Sequence, residues 1–224
     1  ILVLEDDITV RETITISSGN VTIDLNGKTL KNESRTVVHV AEGATLTIMD
    51  TGTKGSIKAS GDYVVWNYGS LEVTDGEISG VYSGVRNYGS LEVTGGSIAS
   101  GDNCSGVDNY GTLEVTGGSI SGVVNNSSGT LTVEGGNISG VHSGVDNYGS
   151  LEVTGGNISG VHSGVYNDSS GKLTVTDGEI SGVFFGVGNH GTLTVEGGSI
   201  SAIGGDSSGV CNYNYGSLEV TGGS

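Results

Sequence analysis

The sequence of 224 residues contains no proline, two cysteines and few basic side chains. A collagen needs abundant proline beside glycine at every third position, so the 43 glycines do not indicate a collagen. Two cysteines cannot form a disulfide framework. No stretch is long and apolar enough for a membrane-spanning helix, and no signal peptide is visible. Regularly spaced Val, Leu and Ile argue against a disordered linker and indicate a folded chain with many tight turns.

The charge is strongly negative, −17 from 25 acidic and 8 basic residues. Beyond residue 59 the basic side chains are Arg86 and Lys172 alone. A nucleic-acid partner requires a basic stripe, and an anionic membrane surface attracts basic segments. We therefore expect no nucleic-acid partner and no membrane insertion. An acidic surface keeps a protein soluble and attracts cations.

A motif of the form L-x-V-x-G-G recurs through most of the chain. Successive motif leucines are 18 to 25 residues apart, and a divergent copy begins at Leu46. The chain ends in the middle of a copy, so we expect a piece of a longer array. The motif leucines are Leu71, Leu91, Leu113, Leu131, Leu151, Leu173, Leu193 and Leu218.

Apolar and polar residues alternate with a period of two inside each copy, which predicts strands, and the glycine pairs predict sharp bends. A repeat of about 20 residues cannot bury its own apolar face, so neighbouring copies must stack. A propeller blade needs about twice this length. The sequence predicts an all-β, right-handed parallel β-helix solenoid of about nine coils. Residues 1–224 would form one domain, with divergent N-terminal coils in 1–45 and regular repeats in 46–224.

Stacking turns each repeat position into a column, and one inward column is polar. A buried amide must be hydrogen-bonded, and stacked amides can bond to one another. We interpret this column as a structural asparagine ladder. Its members are Asn67, Asn87, Asn109, Asn125, Asn147, Asn167, Asn189 and Asn212.

The residue after each ladder asparagine is often aromatic and is predicted to point outward, with rings about 5 Å apart. Two interpretations stay open: a stack that stiffens the turn, or a platform for sugar rings or a partner protein. His190 occupies the same position in one repeat. The candidate ligand-binding residues are Trp66, Tyr68, Tyr88, Tyr110, Tyr148 and Tyr215.

Metal and cofactor sites have weak signals, and no cofactor is predicted. Glu72, Glu92 and Glu114 form an outward acidic run that is a weak Ca²⁺ candidate. His142 and His162 lack a third ligand for zinc and are interpreted as surface residues. Cys104 and Cys211 are about five coils apart, roughly 24 Å along the axis, too far for a disulfide.

The segments "VTIDLNGKTL" and "GATLTIMD" and the "NYGSLEVTGG" array resemble the right-handed β-helix repeats of adhesin-like surface proteins of anaerobic gut bacteria, which have a pectin-lyase-like architecture. The resemblance covers nearly the whole chain. It implies a secreted module at the bacterial cell surface, with host or microbial glycans or surface proteins as partners. The same architecture houses pectate lyases and polygalacturonases.

The sequence therefore predicts a non-enzymatic stalk or adhesion module with a surface for multivalent contacts. A carbohydrate-binding module that uses the tyrosine column is the alternative. A polysaccharide lyase or glycoside hydrolase is less favoured, because that chemistry needs clustered carboxylates or a basic residue beside Ca²⁺ ligands. No position is expected to interrupt the repeat with a reactive group.

Overall fold

The computed structural model describes residues 1–61, 63–101, 104–205 and 207–224. Regular structure in these ranges consists of β-strands paired in parallel. They contain no helix that is long and apolar enough to cross a membrane.

The strands form three faces, and the first face carries the Leu-x-Val part of each repeat. Two long strands, β22 (Ser150–Gly160) and β24 (Lys172–Gly182), continue through the bend from the first face into the second. The other first-face strands are β1 (Leu2–Val3), β4 (Gly19–Asp24), β7 (Ala44–Met49), β10 (Ser70–Val73), β13 (Ser90–Val93), β16 (Thr112–Val115), β19 (Thr130–Val133), β26 (Thr192–Val195) and β29 (Ser217–Val220).

The second face carries the isoleucine of each repeat. Besides the second halves of β22 and β24, its strands are β2 (Ile8–Thr9), β5 (Thr29–Asn32), β8 (Ser56–Ala59), β11 (Glu77–Gly80), β14 (Ser97–Ser100), β17 (Ser119–Ile120), β20 (Asn137–Gly140) and β27 (Ser199–Ala202).

The third face is a separate ten-stranded sheet that ends, in the regular repeats, on the ladder asparagine. Its strands are β3 (Ile14–Ile16), β6 (Val38–Val40), β9 (Tyr63–Asn67), β12 (Ser83–Asn87), β15 (Val107–Asn109), β18 (Val123–Asn125), β21 (Ser143–Asn147), β23 (Ser163–Asn167), β25 (Phe185–Asn189) and β28 (Ser208–Asn212).

One strand from each face makes a coil, so the described chain winds through ten coils and ends on β29. The all-β parallel β-helix solenoid predicted from the sequence is confirmed. At a strand spacing of about 4.8 Å, ten coils form a rod roughly 50 Å long. The sequence predicts about nine coils, because the divergent N-terminal coils lack the repeat marker.

The core is a set of aligned apolar columns. Leu71, Leu91 and Leu113 lie directly over one another in register, and the valine and isoleucine columns are aligned in the same way. These leucines are at most 1% exposed. Each buried aliphatic side chain contributes about 1.5–3 kcal/mol relative to exposure, so the coils stabilise one another along the whole rod.

The bend between the first and second faces requires glycine for two reasons. The second glycine of the pair has a positive φ, as at Gly96 (φ 68°), where other residues are strained. The first glycine lies against the coil below, and a Cβ on Gly95 would come within 2.1 Å of the Thr74 carbonyl oxygen. The predicted role of the glycine pairs is confirmed.

Coil length varies between the second and third faces. Two residues connect β17 to β18, whereas residues 101–106 connect β14 to β15. The flanking strands keep their register in both cases. The corner between the third and first faces varies too, with two residues between β12 and β13 and four between β18 and β19. Insertions and deletions therefore collect at corners and leave the columns intact.

Candidate functional site

The asparagine ladder is continuous from Asn67 to Asn212. From Asn67 to Asn189, each side-chain Nδ2 donates to the Oδ1 of the next ladder asparagine at 2.7–2.8 Å. Each also donates to a first-face carbonyl of the next coil, such as that of Ser90 at 2.7 Å from Asn67. Seven of the eight ladder residues are fully buried, and Asn212 is exposed. The predicted ladder is confirmed, and its amides are occupied in holding the coils together.

The tyrosine column forms a true stack over three coils. The rings of Tyr68 and Tyr88 are 4.8 Å apart with an interplanar angle of 7°, and those of Tyr88 and Tyr110 are 4.8 Å apart at 15°. Stacking covers both faces of Tyr88 and one face of each end ring. The column therefore presents mainly ring edges to solvent, which disfavours it as a continuous platform for sugar rings.

Two other tyrosines predicted for this column behave differently. Tyr148 lies in the column, but its neighbours in the coils below and above are Asn126 and Asp168, so it does not stack with another tyrosine. Burial raises the pKa of Tyr148, with added effects from Asp146 and Asp168.

Tyr215 is not in the column, and this part of the prediction is wrong. The ladder register pairs Asn212 with Asn189, so the residue after Asn212, Tyr213, takes the column position. Tyr213 stacks on His190 at 4.0 Å and 7°. Tyr215 is 94% exposed.

Trp66 and Tyr68 lie on the wall of a pocket of about 630 Å³ at the N-terminal end of the third face. The pocket spans the first three coils, and its volume is in the range of small-molecule sites. The indole Nε1 of Trp66 is buried and has no hydrogen-bond acceptor among the described residues. The other lining residues are Thr13, Thr15, Ser34, Arg35, Thr36, His39, Ala41 and Glu42.

A charged cluster that the sequence analysis does not predict lies next to this pocket. The Arg86 guanidinium carbon is 5.0, 5.5 and 5.2 Å from the ring centroids of Tyr63, Tyr88 and Tyr110. Its Nη2 donates to the Tyr110 hydroxyl at 3.1 Å. The Arg86 Nε is buried without an acceptor among the described residues. The three aromatic contacts and the hydrogen bond favour the charged guanidinium, so this geometry does not favour Arg86 as a catalytic base.

Asp108 follows Arg86 in the outward column of the third face. Burial raises the pKa of Asp108, and this effect outweighs the opposite influences of Tyr63 and Arg86. Trp66, Arg86 and Asp108 thus occupy one column position in three successive coils. An alignment of the repeats on their ladder asparagines places these three residues in one column, so the sequence does contain a signal for the cluster.

The acidic, histidine and cysteine candidates lie on other parts of the rod. Glu72, Glu92 and Glu114 align in register as predicted, and Glu72 accepts a hydrogen bond from Thr47 at 3.1 Å. The part of the chain that the structure describes holds no group of three or more His, Cys, Asp or Glu side chains suited to a metal ion. The Ca²⁺ candidates stay a prediction without structural support.

His142 and His162 stack on each other at 4.9 Å and 5°, and His162 also contacts Phe184 at 5.3 Å. The thiols of Cys104 and Cys211 are both free. Cys104 precedes β15 in the fifth coil, and Cys211 lies on β28 in the tenth.

No family model, no curated protein and no solved structure matches this chain. The β-helix architecture therefore rests on the strand pairing and the columns.

Proposed function

We propose that the chain is a non-enzymatic structural and adhesion module, a rigid stalk of a secreted protein at the bacterial cell surface. The observation that carries this proposal is the unbroken asparagine ladder with its aligned apolar columns. Parallel strand pairing on all three faces joins each coil to the next, and from the third coil to the tenth one amide–amide hydrogen bond of the ladder adds to each junction, seven bonds in all. Such a rod resists bending because each coil contacts its neighbours over its whole outline.

The outward columns give the rod a second property, the repeated display of similar groups. Ser, Thr and Glu positions of the first face recur at each coil, as at Glu92 and Glu114. Repeated weak contacts with host or microbial glycans or surface proteins would raise the effective concentration of each contact. The sequence resemblance supports an extracellular setting.

A matched deletion tests the stalk. Removing residues 131–172 takes out two whole coils and joins Thr130 to Leu173. Leu173 is the register equivalent of Leu131, the residue that follows Thr130 in the full chain, so the strand register is kept. We expect a folded rod that small-angle scattering shows to be shorter by roughly 10 Å. Adhesion of cells that display the module should persist and lose only reach.

Loss of all adhesion in that folded variant would show that the deleted coils act as a specific site and would contradict the stalk proposal. Antibody labelling of intact source cells tests the location. Labelling that requires cell lysis would contradict a surface role.

A further inference from the structure

We propose that the pocket of Trp66, Tyr68 and His39 is a binding site for a neutral sugar ring. This inference rests on the proposed adhesion role, because the pocket would supply its specific ligand contact. The pocket lies near the N-terminal end of the rod, and the residues that line it do not repeat from coil to coil as the columns do.

The pocket exists because side-chain size changes abruptly between coils. Ala41 occupies the column position one coil before Tyr68. In the neighbouring column, Thr15 and His39 precede the larger Trp66. The small side chains of Thr15 and Ala41 beside the large rings of Trp66 and Tyr68 leave a hollow at this end of the third face.

The same change of size exposes an aromatic face. Tyr88 stacks on one face of Tyr68, so the opposite face is directed along the rod toward the coil of Ala41. The rings of His39 and Tyr68 make a T-shaped contact beside that face, with centroids 5.5 Å apart and an interplanar angle of 78°. The Tyr68 end of the Tyr68–Tyr88–Tyr110 stack thus meets the pocket.

The lining matches the two chemistries of a sugar. Rings of Trp66 and Tyr68 suit the apolar C–H face of a pyranose. Hydroxyl groups of Thr15, Ser34 and Thr36 can both donate to and accept from sugar hydroxyls. A pocket of apolar rings with a few convergent polar groups is typical of small-ligand sites.

Charge favours a neutral sugar over an anionic one. The single cation at the rim, Arg35, is within 4.0 Å of the Glu12 carboxylate, and Glu42 also lines the pocket. The whole chain carries −17. Two carboxylates against one guanidinium leave the rim net negative, so a uronic or sialic acid would meet a repulsive field.

Trp66 is the only tryptophan of the chain, so its emission reports on this pocket. Titration with cellobiose, maltose, lactose and mannobiose should give a saturable emission change with at least one of them. Digalacturonic acid and sialyllactose should bind at least about tenfold more weakly. The absence of a saturable change with every neutral probe would overturn the proposal.

Two variants locate the ligand. Tyr68→Ala should weaken binding about tenfold, and Tyr148→Ala, a column tyrosine outside the three-ring stack, should leave it within about twofold. Saturation-transfer NMR provides the readout for Trp66→Ala, which should lose the signal while its thermal unfolding stays cooperative. The reverse pattern, with loss in Tyr148→Ala alone, would place the ligand on the column and contradict the pocket.

The variant lacking residues 131–172 separates the two proposals, because it keeps all ten lining residues. Retained sugar binding together with lost adhesion would refute the stalk alone. Retained adhesion without sugar binding by the full chain would refute the pocket alone.

Discussion

The N-terminal coils and the regular coils turn the same corner by different means. In the regular coils, a glycine pair lets the backbone bend against the coil below. In the N-terminal coils, buried carboxylates hold the bend. Asp50 accepts from the N–H groups of Gly27, Gly52 and Gly55 at 2.6, 3.2 and 2.7 Å. The same corner is thus held by contacts specific to individual coils at the N-terminal end and by a repeated glycine pair in the regular coils.

The ladder marks the boundary between the two regions. Asn67 is its first member, and the preceding coil has Val40 at the same position. The Oδ1 of Asn67 is therefore buried without a donor among the described residues. The irregular region lacks the ladder, and the pocket lies where this region meets the first ladder coil. The repeated ladder contacts stabilise the rod, while the coils that differ from the repeat form a surface of their own.

The largest effect is expected from Asp50→Ala. It would leave three backbone N–H groups without their carboxylate, and each buried unpaired donor costs about 1–3 kcal/mol. We expect a loss of about 4 kcal/mol, confined to the first three coils. Hydrogen exchange should become fast there and stay slow at β19 and beyond. Asp75→Ala is the control, because exposed Asp75 accepts, among the described residues, from the N–H of the adjacent Gly76 alone.

Asn147→Ala should be nearly as damaging to the regular coils. It removes the acceptor of Asn125 and the donor to Asn167, each a buried bond of 2.7–2.8 Å. We expect a loss of roughly 2–4 kcal/mol in denaturant unfolding. Asn212→Ala, at the exposed end of the ladder, should lose less than about 1 kcal/mol. Equal effects of the two substitutions would argue against a stabilising ladder.

Gly96→Ala and Gly43→Ala compare a regular coil with an N-terminal coil at glycines that share one backbone conformation. Both glycines have a positive φ, but a Cβ on Gly96 would lie 2.6 Å from the Gly76 carbonyl oxygen, and one on Gly43 would meet nothing within 4 Å. Gly43→Ala should therefore cost about 1 kcal/mol of backbone strain, and Gly96→Ala about 1–3 kcal/mol more. Thermal unfolding measures the stability loss of each variant. Equal losses would show that the contact of a Cβ on Gly96 with the neighbouring coil adds no cost.

Tyr88→Ala should have a smaller effect of about 1 kcal/mol, because Tyr88 loses ring contacts on both sides. Tyr148→Ala should lose about half as much or less in the same unfolding assay. A larger loss at Tyr148 would contradict a stiffening role for the three-ring stack.

The smallest effects are opposite pH dependences at two aspartates. Hydrogen bonds from the Thr51 N–H and hydroxyl lower the pKa of Asp24 below 3.8, so its stabilisation is present above pH 3.8 and lost as pH falls through the lowered value. Burial raises the pKa of Asp108, so stability falls as pH rises from 3.8 through the raised value. The free energy of unfolding, measured against pH, should lose its rise with pH in Asp24→Asn and its fall with pH in Asp108→Asn. If both substitutions removed a slope of the same sign, the assignment would be refuted.

The regular coils were predictable because the same pattern of inward and outward residues recurs in every repeat. Period-two alternation places Leu91, Val93 and Asn87 inward, and the structure confirms all three. The glycine pairs predict the positive φ for the same reason. In "NYNYGS", however, two Asn-Tyr pairs are adjacent, and the pattern alone does not choose between Tyr213 and Tyr215. The pairing of Asn212 with Asn189 makes that choice.

The features of the irregular region depend on contacts that have no repeat to reveal them. Asp50 reaches Gly27 in the preceding coil, 23 residues away, through a turn that occurs once. The pocket depends on the sizes of Ala41 and Trp66 in coils whose alignment the repeat marker does not define. The Arg86 cluster combines Tyr63 and Asp108 from neighbouring coils, and each is unremarkable in its own repeat.

Side-chain amide exchange of ¹⁵N-asparagine-labelled protein tests the central claim, that like residues of successive coils lie in register, most directly. The account predicts slow exchange for the seven buried ladder amides, fast exchange for Asn212, and NOEs from each ladder amide to the asparagine one coil further along. Uniformly fast ladder amides, or NOEs that skip coils, would contradict it.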